Sequence, residues 1–226
     1  MRMDAPSTAT PDDAVVDLFG EEVGPARRSG LGAAMAGGNR SGPPPRRQFY
    51  RTPRDATRAL LGVLDLPAGT PVAEPCCGDG AIASVLEGAG HPVAASDLDD
   101  RGWGTPGVDV LGMRSLPADV VVTNPPFSLA AEIVDTVLDL RPSVLALLLK
   151  ATFFHADVRR ALFDRHTPAE IHALTWRLDF EGRGAPAMEC AWFVWRRDHV
   201  GDCAYRLLPR PGAEQIGIPG IADRPS

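Results

Sequence analysis

Between Pro71 and Asp97 the chain reads as strand, glycine turn, helix and strand, a succession that leaves few folds open. Pro71-Val72-Ala73-Glu74-Pro75 is the first strand and Cys76-Cys77-Gly78-Asp79-Gly80 the turn; Ala81 to Glu87 is helical and closed by Gly88 and Gly90. The second strand, Pro92 to Ser96, ends in Asp97. Glycines at a helix mouth let a ligand lie against outward-facing backbone N–H groups. Asp97 stands 19 residues after Gly78, at the strand end where doubly wound folds grip a ribose diol. Glu74 to Asp97 thus spans a nucleoside-binding half. The dinucleotide pattern Gly-x-Gly-x-x-Gly is not met, because the third glycine is missing, so nicotinamide and flavin binding lose ground.

A second feature lies downstream. Asp119-Val120-Val121-Val122-Thr123 is bounded like a buried parallel strand, and Asn124-Pro125-Pro126-Phe127 follows at its carboxyl end, where open α/β sheets place ligands. Each proline holds φ near −65°, which positions the carbonyls around Asn124 at little entropic cost. The Asn124 side-chain oxygen and a neighbouring carbonyl make a pair of acceptors suited to an exocyclic NH2, and Phe127 offers a flat apolar face to the ring carrying it.

The remaining segments fit around these two. Thr52 is expected to cap a helix with Pro53 at its first position and Asp55 in its first turn; Ala56, Ala59, Leu60, Val63 and Leu64 keep helical spacing, and Leu66 to Gly69 ends it. Val108 to Leu111 is expected to be the third strand or its rim. Ser128 is expected to cap a helix burying Ala130, Ile133, Val134, Val137 and Leu138, with Glu132, Asp135 and Asp139 outside. Ser143 to Leu149 is a fully buried strand followed by Lys150, and Asp157 to Phe163 is helical. Ile171 to Leu174 and Cys190 to Trp195 read as the last two of seven strands. The loop between them, Trp176 to Pro186, mixes aromatics, arginines and glycines, as do both nucleic-acid-facing loops and half-buried connections.

Residues 1–45 are rich in Pro, Gly, Ser, Ala and Asp and read as a disordered tail; 46–210 reads as one catalytic-sized domain and 211–226 as a loose tail. The tail's apolar island, Ala14 to Phe19, has a Leu-Phe end resembling peptides that bind bacterial sliding clamps, with Val15 where such peptides carry glutamine; a short helix packing on its own domain is the alternative. The longest purely apolar run, Val144 to Leu149, is far too short to span a membrane, and no signal pattern opens the chain, so a cytoplasmic protein is expected. Cys76, Cys77, Cys190 and Cys203 form no disulfide framework or metal-ligand cluster and read as free thiols. A net charge of −6 argues against a protein that coats nucleic acid, though not against a local basic rim.

These residues together resemble the class I S-adenosylmethionine-dependent methyltransferases, and among them the amino-methyltransferases with an Asn/Asp-Pro-Pro-aromatic motif. The likeness covers roughly residues 48 to 200. Glu74-Pro75-Cys76-Cys77-Gly78-Asp79-Gly80 matches the cofactor motif, Asp97 with Leu98 beside it the ribose-binding position, and Asn124 to Phe127 the catalytic tetrapeptide. Phe49-Tyr50-x-Thr52-Pro53 looks like the segment that closes over the cofactor in small phage and prophage N6-adenine DNA methyltransferases, Asp109 looks like the residue meeting the cofactor's adenine, and Ala191 to Trp195 resembles a C-terminal strand of those enzymes.

The resemblance implies a Rossmann-like α/β fold, a seven-stranded, mostly parallel sheet with helices on both faces, and S-adenosyl-L-methionine as cofactor with no metal. It implies methyl transfer to an exocyclic amino group, adenine N6 in DNA first. Adenine N6 in RNA, a protein glutamine amide, or a non-catalytic module binding the same cofactor are the alternatives. DNA methyltransferases of longer chain carry a target-recognition domain for which this chain has no room, so sequence preference would come from loops such as 176–187, the tails or a partner.

Overall fold

The computed structural model describes residues 49–212 apart from positions 156, 181, 183, 185 and 187. The expected tails, with the apolar island, Arg46 and Arg47, lie outside these residues, except that Pro211 and Gly212 are described. The elements in chain order are α1 (Arg54–Leu64), β1 (Val72–Glu74), α2 (Ala83–Gly88), β2 (Val93–Asp97), β3 (Thr105–Pro106), β4 (Val120–Thr123), α3 (Ala130–Asp139), β5 (Val144–Lys150), α4 (Arg160–Arg165), β6 (Glu170–Leu174), β7 (Cys190–Arg196) and β8 (Ala204–Leu208).

The strands form one sheet in the order β3-β2-β1-β4-β5-β7-β6-β8. Neighbours from β3 to β5 are parallel; β7 runs antiparallel to both β5 and β6, and β8 lies parallel to β6. Apolar layers cover both faces, which is why β5 reads as an unbroken apolar run rather than an alternating one. Val144, Ala146 and Leu148 join α1 and α2 on one face, while Leu145, Leu147 and Leu149 join α3 on the other. Trp192 and Phe193 of β7 divide in the same way. Truncating one of these buried leucines to Ala would cost about 2–5 kcal/mol. The buried Trp192 indole N–H donates to the Ala56 carbonyl at 3.0 Å, tying β7 to the start of α1. No helix among the described residues is long and apolar enough to cross a membrane.

The structure corrects several local expectations. Thr52 does not cap α1: Pro53 takes the cap position, with no side-chain bond, and the Thr52 hydroxyl is engaged elsewhere. The helix stops at Leu64, with Asp65 in the left-handed conformation. Val108 to Leu111 is not a strand. The third strand is the residue pair Thr105–Pro106, flanked by Gly104 and Gly107 at positive φ, and Val110–Gly112 is a 3-10 turn that Asp109 caps through Leu111 N at 3.0 Å. Pro106 has no N–H to offer, which suits an edge strand. Leu129, not Ser128, precedes α3 at the cap position, and the Ser128 hydroxyl is buried without a hydrogen-bond partner among the described residues. The sheet gains β8, for which the sequence shows no clear alternation: Tyr205, Arg206 and Leu207 are all exposed.

Candidate active site

Strand order reverses at β1, whose two sheet neighbours are β2 and β4, all three parallel. Connections leaving β1 and β4 therefore diverge at their carboxyl ends and open a crevice there. The glycine turn after β1, Asp97 at the end of β2, and Asn124 after β4 all reach this crevice, although they are far apart in sequence.

Asp97 shapes the glycine turn. Its Oδ2 accepts from the Gly78 backbone N–H at 2.8 Å and its Oδ1 from that of Asp99 at 2.9 Å. Gly78 and Gly80 have φ of +55° and +77°, and a Cβ on either would lie 2.2 Å from an aromatic ring, that of Phe49 at Gly78 and of Trp103 at Gly80. Positive φ and ring contact together demand glycine at both positions. The Arg101 guanidinium lies 4.5 Å over the Phe49 ring, and Arg51 pairs with Asp79 at 2.6 Å. Residues 49 to 52 thus strap across the glycine turn.

Beneath the strap, the chain leaves carboxylate oxygens unused. Glu74 is 1% exposed, and burial pushes its pKa well above the ordinary value against a lowering hydrogen bond from the Ala83 backbone; Asp97, Asp79 and Glu87 push it further up. Glu74 Oε2 and Asp79 Oδ1 are buried with no hydrogen-bond partner among the described residues. Cys76 and Cys77 are likewise pushed up, chiefly by burial, Cys77 to about 12, so both are thiols at neutral pH. All four cysteines are free.

At the other side of the crevice, Asn124 Nδ2 donates to the Tyr50 carbonyl and to the Thr52 hydroxyl, both at 3.0 Å. A carbonyl can only accept, so this pair fixes which way the amide points. Asn124 Oδ1 is left buried and without a partner among the described residues. Beside it the Tyr50 and Phe127 rings stack, with centroids 5.3 Å apart and planes at 25°; Phe180 packs on both, at 5.4 and 6.3 Å. Lys150 Nζ lies 5.6 Å from the Phe127 centroid.

Of the residues singled out from the sequence, Tyr50, Thr52, Glu74, Cys76, Asp97 and Leu98 line the crevice, together with Asp109, Asn124, Pro125 and Pro126. Pro53 is not in its lining, nor are Gly78, Gly80 and Phe127, which reach it through their neighbours. Four participants were not assigned to the site from the sequence: Arg101, Trp103, Lys150 and Phe180. For Phe180 a signal existed, since its loop mixes aromatics with arginines; part of that loop is core, with Leu178 1% exposed and paired with Met188.

No family model matches the chain, and no curated protein matches its sequence. Solved structures do match. One is a putative class I S-adenosylmethionine-dependent methyltransferase from Listeria monocytogenes, with a TM-score of 0.52 and 15% identity over 79% of this chain and 71% of that one. A putative RNA methyltransferase from Pyrococcus horikoshii gives 0.51 and 17% over 74% and 97%. The methyltransferase subunit of a type I restriction-modification system from Streptococcus thermophilus gives 0.50 and 12% over 68% and 46%, so the match spans less than half of that protein. The fold is the Rossmann-like α/β fold of class I methyltransferases.

Proposed function

We propose that the protein is an S-adenosylmethionine-dependent methyltransferase acting on an exocyclic amino group, adenine N6 in DNA, within a domain spanning residues 46–210. The observation that carries the acceptor assignment is the Asn124 side chain: both its amide hydrogens are engaged by Tyr50 and Thr52, and its oxygen remains a buried acceptor without a partner in a crevice that Asn124 lines. The residues present also fit the cofactor. Unused oxygens on Glu74 and Asp79 suit a cationic ligand, Asp97 and Leu98 stand at the strand end where doubly wound folds hold a ribose, and Asp109 lines the crevice with its Oδ1 already accepting from Leu111. Tyr50, Thr52, Pro53, Cys76, Gly78 and Gly80 complete the proposed cofactor site.

Bound S-adenosylmethionine supplies an electrophilic methyl group. The chain's own part is to hold the acceptor. Asn124 Oδ1 and the Pro125 carbonyl accept the two amino hydrogens, which localises a nitrogen lone pair otherwise delocalised into the ring, while Pro126 keeps the turn rigid. Phe127 supplies a stacking face for a base taken out of its duplex. A ring sandwiched between Tyr50 and Phe127 needs two contacts of about 3.5 Å, more than their 5.3 Å separation, so the two rings at this spacing cannot both stack on one base.

DNA as acceptor is supported by Arg51, Arg54 and Arg58, exposed at or near the strap, and by the likeness to a restriction-system methyltransferase subunit. The likeness to a putative RNA methyltransferase over 97% of its length favours RNA adenine as the second reading. Labelled cofactor offered to DNA, RNA and protein pools side by side, followed by digestion of the labelled pool, tests both. N6-methyladenine released from DNA is the expected product; label only in RNA, in cytosine or in a protein glutamine rejects the DNA-adenine assignment, and no label in any pool rejects catalysis.

A further inference from the structure

A second concavity lies at the opposite end of the central strands, where β5 begins and β7 ends. The four β5 residues from Val144, opposite Val120, to Leu147, opposite Thr123, at about 3.3 Å each put the start of β5 roughly 13 Å from the level of Asn124. Arg141, Arg165, Arg196 and Arg197 line it with His166 and His199, against one carboxylate, that of Asp139. Such a wall inverts the balance of a chain whose net charge is −6.

Three of the arginines are braced by carboxylates that do not line the cleft. Arg165 pairs with Asp135 at 2.7 Å, Arg196 with Glu170 at 3.5 Å, and Arg197 with Asp119. A guanidinium carries five N–H donors, so one such pair orients it and leaves the others available. Arg141 differs. Its guanidinium has no partner among the described residues, and its backbone sits at φ +56° just past α3, closing the helix through Arg141 N to Leu138 O at 2.9 Å. Glycine is the usual residue in that left-handed position, and a side chain there is held at a conformational cost glycine avoids. His199 adds a buried Nε2 with no partner among the described residues.

We propose that this cleft binds a phosphate-bearing anion, with Arg141 as the one arginine of its lining that is unbraced among the described residues. Phosphate oxygens match guanidinium forks arriving from several directions, which suits a wall built of four arginines. The phosphate can belong to a nucleic-acid backbone or to a small phosphorylated molecule. The site is separate from the methyl-transfer crevice and stands or falls independently of it.

Two probes test the proposal on the full chain: inorganic pyrophosphate by calorimetry and a short DNA duplex by fluorescence anisotropy, each against Arg141→Gly and Arg165→Gln. Arg141→Gly removes the guanidinium while relieving the left-handed strain, so it should melt no lower than the wild type, and a binding loss would not reflect misfolding. Losing one charge-assisted contact should weaken binding by about tenfold or more. Pyrophosphate binding lost in both variants assigns a small phosphorylated ligand; loss with the duplex alone assigns backbone phosphate. The proposal is overturned if the wild type binds neither probe or if both variants bind as the wild type does. S-adenosylmethionine affinity, measured in the same samples, should not change, which separates this test from that of the methyltransferase reading.

Discussion

Asn124 Nδ2 donates to the Thr52 hydroxyl at 3.0 Å across a separation of 72 residues. Thr52 is 4% exposed, so the contact is shielded from water, and the hydroxyl that would ordinarily cap α1 instead sets the orientation of the proposed catalytic amide. The strap over the glycine turn and the acceptor site are thereby one mechanical unit.

Thr52→Val should consequently lower turnover. The isosteric side chain removes one of two acceptors holding the amide, and losing a net hydrogen bond of about 1 kcal/mol should cost several-fold to tenfold in kcat. Thr52→Ser keeps the oxygen and should stay within about twofold of the wild type, since only a methyl group is lost from the site. Equal defects in the two variants would show that packing, not the hydrogen bond, is what matters.

Asn124→Ala should reduce turnover by on the order of a hundredfold or more, because it deletes an acceptor aimed at the reacting amine. Cofactor affinity should change far less. Single-turnover kinetics with labelled cofactor separates the two quantities, and retained turnover would remove Asn124 from the mechanism.

Asp97 has two duties, holding Gly78 and Asp99 and meeting the proposed ribose. Hydrogen bonds to a charged group are worth about 1.5–3 kcal/mol, so Asp97→Ala should weaken S-adenosylmethionine binding by roughly ten- to a hundredfold. It should also lower the melting temperature by loosening the turn. Unchanged affinity by calorimetry would take Asp97 out of the site.

Glu74 should make stability depend on pH in a known direction. Its folded pKa is raised, chiefly by burial, so its favourable contribution is complete below the unfolded carboxyl value of about 4.3 and declines as pH rises through the higher folded value. Glu74→Gln should therefore melt higher than the wild type at alkaline pH, with the two curves converging in acid. Parallel curves across that range would show that burial of this carboxyl does not set the trend.

Arg54 and Arg58 stand one helical turn apart on the exposed side of α1. If they contact phosphates, DNA affinity should fall with salt, and the double variant Arg54→Ala with Arg58→Ala should flatten the log–log slope by up to about two, close to one per lost contact. A slope that does not move would place the DNA track elsewhere.

What the sequence by itself determined is what short-range chemistry can specify. The apolar run of β5, the glycine turn between β1 and α2, and a strand ending in Asn124-Pro125-Pro126-Phe127 each follow from periodicity or from a backbone demand confined to a few neighbours. The α/β class and the crevice at strand ends were legible for that reason. Element edges were not. Thr52 and Ser128 have the right chemistry for caps, but a cap is one local option for a hydroxyl, and Thr52 found Asn124 instead. Nor could local pattern reveal Phe180 packing on Tyr50, Lys150 over Phe127, or a β8 whose exposed residues carry no alternation. These contacts join segments far apart in the chain, and only the packing of the sheet decides which of many compatible partners meet. The same holds at the opposite end of the central strands, where Arg141, Arg165 and Arg197, from three separate segments of the chain, line one wall because β5 starts beside the residue at which β7 ends.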